Sequence, residues 1–362
     1  MSEPGRQMAA EMAEQPAVLA ALVGRRAGLV ASLRPLVGSP VGIVLVARGS
    51  SDHAAIYGRY LLELVTGRPV ALAAPSLVTR YGVSGSLDGW LAVGVSQSGR
   101  TPEIVSVLSA FAERGARTVA ITNDETAPLA GVADATIATA AGDEAAVPAT
   151  KTLTAQCAAF AILAEALGGA GDGAGAGDPQ GTATGGPAGA LPWSDADWDA
   201  VPDAVAAVLD DPAPARQAAE RIGAAPAMAV LGRGLLLAGA LEVALKLEEI
   251  SGIVASGAST ADFRHGPIAM VGKGFPVLAL SAGGPVQEDV EELVTDLRSR
   301  GGDVQRLATS ADAELPVASS LPEALALLPL LVRGQQLARE LGLWRGIDPD
   351  APLGLSKVTV TH

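Results

Sequence analysis

The chain repeats one sequence design at a nearly constant distance of 185 residues (233 minus 48). A short apolar run ends in Arg48-Gly49 in the first half and in Arg233-Gly234 in the second half. Val93–Ser96 and Leu278–Ser281 correspond at the same offset. Because self-similarity at a fixed distance is the signature of a duplicated structural unit, the chain is constrained to fold as two similar halves.

Each half alternates short apolar runs with helical patterns. Ile43–Val46, Pro69–Ala73, Leu91–Val95 and Thr118–Thr122 are typical of buried strands, and Asp52–Thr66 and Pro102–Arg114 are typical of helices. Continuous apolar strands separated by helices indicate a parallel sheet that is covered on both faces. We therefore predict an α/β chain with two tandem doubly wound, flavodoxin-like domains, whose ligands bind at the carboxyl ends of the strands.

The segment Gly168–Pro192 contains almost no bulky apolar residue. Such a composition cannot offset the entropy of ordering the backbone, so it favours a flexible Gly/Ala-rich linker. The expected parts are an N-terminal helical segment 1–37, a first domain 38–167, a linker 168–200, a second domain 201–345 and a tail 346–362 that contains Lys357.

Composition excludes several classes of function. The net charge of -14 disfavours binding of nucleic acid or of an anionic membrane surface. The single cysteine, Cys157, rules out an internal disulfide framework and a multi-cysteine zinc site, and three histidines are too few for a His-rich metal centre. The polar N-terminus is unlike a secretory signal, and the long apolar stretches 235–245 and 321–332 are too short to cross a bilayer, so we expect a cytoplasmic protein.

Two loops rich in hydroxyl residues follow predicted strands and precede predicted helices. They are Arg48–Ser51 and Ser96–Thr101. Glycine lets the backbone approach a ligand, and the free N–H groups at a helix N-terminus attract phosphate. Ser51, Ser96, Ser98 and Thr101 could donate to phosphate oxygens, or they could simply cap the helices. Two such loops in one sheet favour a phosphate site, although the lysine of a Walker loop is missing.

A predicted helix over 241–250 is apolar around most of its circumference, which is typical of a buried helix. Glu242, Lys246 and Glu249 nevertheless lie on one of its faces. Buried ionisable groups must be paired or functional. One interpretation is a structural ion pair between Glu242 and Lys246, and the other is a carboxylate that moves protons on and off carbon.

Two further residues could carry chemistry. His265 precedes a Gly-Pro turn, so we expect it on a loop, where a lone histidine is more often incidental than catalytic. Lys357 lies in the C-terminal tail, where a lysine usually only interacts with solvent. Near a sugar carbonyl it could instead form a Schiff base.

Several segments in combination resemble the sugar isomerase (SIS) family, and more closely the isomerase half of glucosamine-6-phosphate synthases. The resemblance covers residues 8–362. The segments that carry it are Glu11–Pro16, ARGSSDHA at 47–54, SQSGRTPE at 96–103, GDEAAVPATKTLTAQ at 142–156, ALKLEEIS at 244–251, FRHGP at 263–267 and LSKVTVT at 355–361.

The resemblance implies a role for each matching residue. Ser51, Ser96, Gln97, Ser98 and Thr101 match positions that bind the phosphosugar, and Val147 matches a backbone contact to the sugar. Glu249 matches the carboxylate that moves a proton between C1 and C2, and Lys246 matches its neighbouring lysine. His265 matches a ring-opening histidine that acts in a neighbouring subunit, and Lys357 matches the Schiff-base lysine. The family also implies a homodimer.

The chain departs from the synthases in ways that guide the expected function. About forty residues precede the first predicted strand, so we expect no glutaminase domain and no extraction of ammonia from glutamine. The second half has Ser281–Gly284 in place of the Ser-Gln-Ser-Gly loop, so we expect one half to bind phosphate and the other to supply catalytic residues.

The resemblance then favours an SIS-type glucosamine-6-phosphate deaminase that needs no metal or organic cofactor. The alternatives are a deglycase of a 6-phosphorylated sugar–amine adduct, an ammonia-dependent synthase without a glutaminase, and, in another class, a non-catalytic phosphosugar sensor.

Overall fold

The computed structural model describes residues 3–168, 190–352, 354, 355 and 357. It contains two five-stranded sheets in which every strand pair is parallel, and this confirms the predicted fold class. The chain divides into two compact units, which we name after their sheets. Of the described residues, the N-sheet unit contains those within Ala21–Gly142 and Ala155–Pro192, and the C-sheet unit contains those within Met1–Ala20, Asp143–Thr154 and Trp193–Lys357.

The division does not follow chain order. The segment Asp143–Thr154 lies within the predicted first domain, yet it belongs to the C-sheet unit, as do the first twenty residues. The sequence pattern could not show this, because which sheet a loop packs against is decided by tertiary contacts rather than by local periodicity.

The first half of the chain supplies five of the strands that the structure describes. They are β1 (Gly42–Val46), β2 (Val70–Leu72), β3 (Trp90–Ser96), β4 (Arg117–Thr122) and β5 (Ala135–Ala138). The helices of this half are α1 (Arg6–Ala13), α2 (Gln15–Val37), α3 (Ser50–Thr66), α4 (Pro75–Thr79), α5 (Pro102–Glu113), α6 (Pro128–Gly131) and α7 (Lys151–Gly168). The predicted strands and helices of this half are present with ends shifted by one or two residues.

The second half repeats the arrangement. Its described strands are β6 (Ala227–Gly232), β7 (Val254–Ser259), β8 (Pro276–Ser281), β9 (Asp303–Ala308) and β10 (Leu315–Pro316). Its helices are α8 (Asp195–Asp210), α9 (Ala213–Ile222), α10 (Leu237–Ser251), α11 (Thr260–Arg264), α12 (Gln287–Ser299) and α13 (Glu323–Trp344), with short 3₁₀ turns at Gly234–Leu236 and Pro267–Met270.

Both sheets have the same strand order. The N-terminal sheet runs β2-β1-β3-β4-β5, and the C-terminal sheet runs β7-β6-β8-β9-β10, so the repeat in sequence is a repeat in topology. Strands such as β1 and β8 are buried along their whole length, as a sheet covered on both faces requires. In each sheet the direction of winding reverses between two neighbouring strands, and the crevice at that point is where such folds bind ligands.

Residues 169–189 of the predicted linker lie outside the described residues. At its far end α8 begins at Asp195, inside the segment predicted as linker. The reason is a capping box: the Ser194 hydroxyl accepts a hydrogen bond from Asp197 N, and the Asp197 carboxylate accepts one from Ser194 N at 2.7 Å.

An apolar stretch that the sequence analysis did not single out is Arg6–Val37, the only described helical stretch with the length and hydropathy of a membrane span. Length and composition alone are weak evidence, because core helices pass the same test. The portion of this stretch that belongs to the N-sheet unit packs against the rest of that unit. Leu22 and Leu33 are buried, and Arg26 forms an ion pair with Glu165 at 2.7 Å.

Candidate active site

The N-sheet unit builds the Ser96–Thr101 loop directly after β3. Gly99 has a φ of 60°, which favours glycine, and its N–H donates to the Ser96 hydroxyl oxygen at 3.2 Å. Arg100 N donates to the Ser98 hydroxyl oxygen at 3.2 Å, and the Ser96 and Thr101 hydroxyl oxygens lie 3.2 Å apart. The Ser96 and Ser98 oxygens thus accept bonds from the loop itself, so Ser98 keeps a proton to donate, while one of the Ser96 and Thr101 hydroxyl groups donates to the other.

The loop after β1 is tied to the loop after β3 by an ion pair. Arg48 binds Glu103 through two parallel hydrogen bonds of 2.9 Å and 3.1 Å, and the Glu103 side chain is only 7% exposed. Such a planar two-bond contact fixes orientation as well as distance. Ser51 is buried in the first turn of α3, where burial also raises the pKa of the neighbouring Asp52.

These two loops lie at the reversal point of the N-terminal sheet, because β1 and β3 are neighbours while β2 and β4 lie on their outer sides. Gly49 and Thr101 are the residues that precede α3 and α5, and neither caps its helix through a side chain. The interpretation of the hydroxyl residues as simple helix caps therefore does not account for Thr101. The first turn of α3 can present backbone N–H groups to an anion, whereas α5 begins at Pro102, which has no N–H.

The C-sheet unit carries the charged face of α10. Lys246 and Glu242 have side chains only 1% and 2% exposed, with their charged atoms 3.5 Å apart. Lys246 also donates a short hydrogen bond to Glu249, whose side chain is 23% exposed. Burial lowers the pKa of Lys246, but the carboxylates of Glu242 and Glu249 outweigh that effect and hold it above its usual range.

Both interpretations of this helix therefore have a counterpart in the structure. The Glu242–Lys246 pair exists as a buried structural contact, and Lys246 holds Glu249 as well. Glu249 is the carboxylate of the three charged residues that stays partly accessible, so a reacting group can reach it.

The loop Asp143–Thr150 holds Lys357 in the same unit. Lys357 Nζ donates to the carbonyl oxygen of Ala146 at 2.7 Å and to Glu144 at 3.1 Å. Val147, the predicted backbone contact to the sugar, follows Ala146 and is partly buried. The Glu144 charge also acts on Lys246, so the Lys357 contact and the charged face of α10 share one electrostatic environment.

His265 is the remaining residue of the predicted catalytic set. It follows α11 in a turn, as predicted, and it is exposed to solvent. Its predicted role belongs to a neighbouring subunit and stays a prediction.

Comparison with known proteins identifies the fold unit. A family model of the SIS domain matches residues 39–166 and 223–321, which is more than half of the chain. The chain belongs to the SIS-domain family. Each sheet corresponds to one of the two SIS matches, so the sequence repeat is a tandem SIS pair.

Proteins similar to this SIS chain include an isomerizing glutamine–fructose-6-phosphate aminotransferase of Symbiobacterium thermophilum. It is 34% identical over 332 residues, which cover 88% of this chain and 51% of that protein. The chain thus spans about half the length of the curated relatives it matches.

Two solved structures align along nearly the whole chain. A Silicibacter pomeroyi protein provisionally classed as a phosphosugar isomerase is 34% identical with a TM-score of 0.80, covering 95% of this chain and 99% of that one. A glucosamine-6-phosphate deaminase of Thermotoga maritima has a TM-score of 0.74, covering 98% and 100%. At 22% identity the second likeness shows the shared fold only.

Sequence reasoning missed two buried carboxylates of this SIS pair. Glu144 and Glu11 are 6% and 1% exposed; Glu11 accepts a hydrogen bond from Ala146 N, just before Val147, and Glu144 accepts one from Thr150 N, just after it. Both lie inside segments that carried the family resemblance, but their partners are distant in sequence. A usable signal was the scarcity of lysine: Lys151, Lys246, Lys273 and Lys357 are the only lysines among 25 basic residues. Glutamates bind three of the four in the described structure.

Proposed function

We propose that this chain is a phosphosugar isomerase of the deaminase type, which converts glucosamine 6-phosphate and water into fructose 6-phosphate and ammonia. The observation that carries the proposal is the accessible Glu249 carboxylate held by the buried Lys246. A base fixed by a neighbouring cation and reachable by substrate suits proton transfer at carbon.

The proposed reaction consists of ring opening, isomerisation and hydrolysis of an imine, and none of these steps needs an external oxidant. His265, supplied by a neighbouring subunit of a homodimer, assists opening of the sugar ring to the C1 aldehyde. Glu249 removes the C2 proton and returns a proton to C1, while the aldehyde oxygen gains a proton and the amine loses one, which turns the aminoaldose into its 2-imine with a hydroxyl group at C1. Water then adds to the C2 imine, and the C–N bond breaks to release ammonia and leave the ketone.

The N-sheet unit supplies the phosphate contacts in this proposal. Ser51, Ser96, Ser98 and Thr101 donate from hydroxyl groups, and Gln97 lies in the same loop. The N–H groups at the start of α3 and the positive dipole ends of α3 and α5 favour an anion beside these loops, so the phosphate can be held without a lysine.

The Symbiobacterium relative supports phosphosugar chemistry, and the Thermotoga protein shares the fold. The Symbiobacterium relative is an isomerizing aminotransferase of fructose 6-phosphate, and the Thermotoga protein is a glucosamine-6-phosphate deaminase. The deaminase, the deglycase and the ammonia-dependent synthase share proton transfer between C1 and C2 and differ in what happens to the nitrogen. Identifying the substrate that is turned over therefore distinguishes them.

A substrate panel tests the proposal. We expect release of ammonia and fructose 6-phosphate from glucosamine 6-phosphate, and no release from glucosamine, which lacks the phosphate. Turnover restricted to a 6-phosphorylated sugar–amine adduct would establish the deglycase instead. Net synthesis from fructose 6-phosphate and ammonia would favour the synthase direction, and binding of phosphosugars without any turnover would overturn the enzyme proposal.

A further inference from the structure

We propose that Glu144 is a positioning residue, which fixes the amine of Lys357 beside Val147 before any sugar binds. The inference rests on the proposed function and on the role that the family resemblance implies for Lys357, a Schiff base with the sugar carbonyl. It adds a residue that the predicted catalytic set does not include.

The Glu144 carboxylate is oriented by its own loop. Its side chain is fully buried, and Oε1 accepts hydrogen bonds from Thr150 N at 2.9 Å and Thr152 N at 3.2 Å. Oε2 accepts one from the Thr152 hydroxyl at 2.6 Å and one from Lys357 Nζ at 3.1 Å. One oxygen therefore anchors the carboxylate to the backbone, and the other is directed at Lys357.

A second contact fixes the lysine from the same loop. Lys357 Nζ donates to Ala146 O at 2.7 Å, and Ala146 N in turn donates to the buried carboxylate of Glu11 at 3.2 Å. A lysine side chain is otherwise free to sample many rotamers, and holding it at two points removes that freedom before the substrate arrives.

The tail that carries Lys357 is held by the helix that carries Glu11. Met8 N and Gln7 N, near the start of α1, donate to the Asp350 carboxylate at 2.8 Å and 2.9 Å. Asp350 thus joins the tail to α1, Glu11 joins α1 to the Asp143–Thr150 loop, and Ala146 of that loop binds Lys357. Together these contacts restrain the position of the Lys357 amine from more than one side.

The ionisation of Glu144 supports the same placement of Lys357. Burial raises the pKa of Glu144, but the Lys357 charge and the Thr152 hydrogen bond outweigh that effect and hold it below its usual range. The Glu144 carboxylate is therefore ionised at neutral pH, where it attracts the amine of Lys357.

The scarcity of lysine makes a direct test possible. Acetylation of the full chain with an N-hydroxysuccinimide ester, followed by mass spectrometry, reports each lysine separately, and the exposed Lys273 serves as an internal reference. In Glu144→Gln the amide oxygen can keep the backbone bonds of Oε1, while the amide nitrogen can no longer accept from Lys357. We expect Lys357 to react about tenfold more slowly than Lys273 in the wild type, and about tenfold faster in Glu144→Gln than in the wild type.

Glu14→Gln is the matched control, because Glu14 binds Lys151 at 2.6 Å rather than Lys357. It should leave Lys357 labelling and turnover unchanged. With glucosamine 6-phosphate, Glu144→Gln should lower kcat about 100-fold with KM within about threefold, since a misplaced reacting group affects the chemical step more than binding. Should Glu144→Gln fail to fold, Glu144→Asp withdraws the carboxylate by one methylene and should release Lys357 as well.

Unchanged Lys357 labelling in a folded Glu144 variant, or wild-type Lys357 as reactive as Lys273, would overturn the positioning role. Absence of turnover in the wild type with the predicted labelling pattern would refute the proposed function and leave the placement of Lys357 by Glu144 supported.

Discussion

At the scale of single residues, similar carboxylates behave differently because their surroundings differ. Glu144 is buried among donors and stays charged, whereas Glu249 is held by one lysine and stays accessible. Glu323, at the start of α13, is a third case. Burial raises its pKa to about 7, and its Oε1 atom is buried without a hydrogen-bond partner among the described residues.

Glu323 predicts a pH-dependent stability. Its pKa is raised in the folded state, so the folded protein binds more protons than the unfolded chain between about pH 4.5 and 7. Stability from this group is present below about pH 4.5 and is lost as the pH rises through about 7. Glu323→Gln should therefore be more stable than the wild type at pH 8, by about 1–2 kcal/mol after allowance for its partial exposure, and nearly equal at pH 4.5.

Thermal unfolding at the two pH values checks this prediction. If the difference in stability between Glu323→Gln and the wild type were the same at pH 4.5 and at pH 8, the carboxyl group would not be desolvated in the folded protein.

At the scale of elements, the conformation of the Ser96–Thr101 loop depends on a glycine between β3 and α5. A Cβ added at Gly99 would lie 2.5 Å from the Ala127 Cβ and 2.6 Å from the Thr122 hydroxyl oxygen, and φ is already in the left-handed region. No side chain can be added there without moving the loop.

Gly99→Ala should therefore raise the KM for phosphosugar at least tenfold, because the hydroxyl groups of the loop would be displaced. Gly131→Ala in α6 is the matched control, since an added Cβ there has no atom within 4 Å. Steady-state kinetics on both variants make the comparison. Equal KM values in the two variants would mean that the Ser96–Thr101 loop does not hold the substrate.

The elements also show what sequence can and cannot predict. The strands and helices of the first half followed from apolar runs and glycine turns, and the charged face of α10 followed from residue spacing. The contact of Glu144 with Lys357 joins residues 213 positions apart, so no local pattern indicates it. The bidentate Arg48–Glu103 contact was missed for the same reason, since it depends on how two loops meet in space.

At the scale of the whole molecule, one strand order occurs twice with different polar side chains at the two candidate sites. Both sheets have the same strand order, but the hydroxyl-rich turns belong to the N-sheet unit and the Lys246–Glu249 pair to the C-sheet unit. Substrate binding and proton transfer should therefore be separable by mutation. Gly99→Ala is expected to impair the first, and a change at Glu249 the second.

The most direct test is ammonia release from glucosamine 6-phosphate by Glu249→Gln, with Glu248→Gln as control because Glu248 is an exposed neighbour on the same helix. We predict that Glu249→Gln loses at least about 1,000-fold in kcat. Calorimetry should find its affinity for the phosphosugar within about threefold of the wild type, since a group that acts only in the chemical step leaves ground-state binding intact. Glu248→Gln should match the wild type. Wild-type ammonia release by Glu249→Gln would contradict the assignment of proton transfer to this carboxylate.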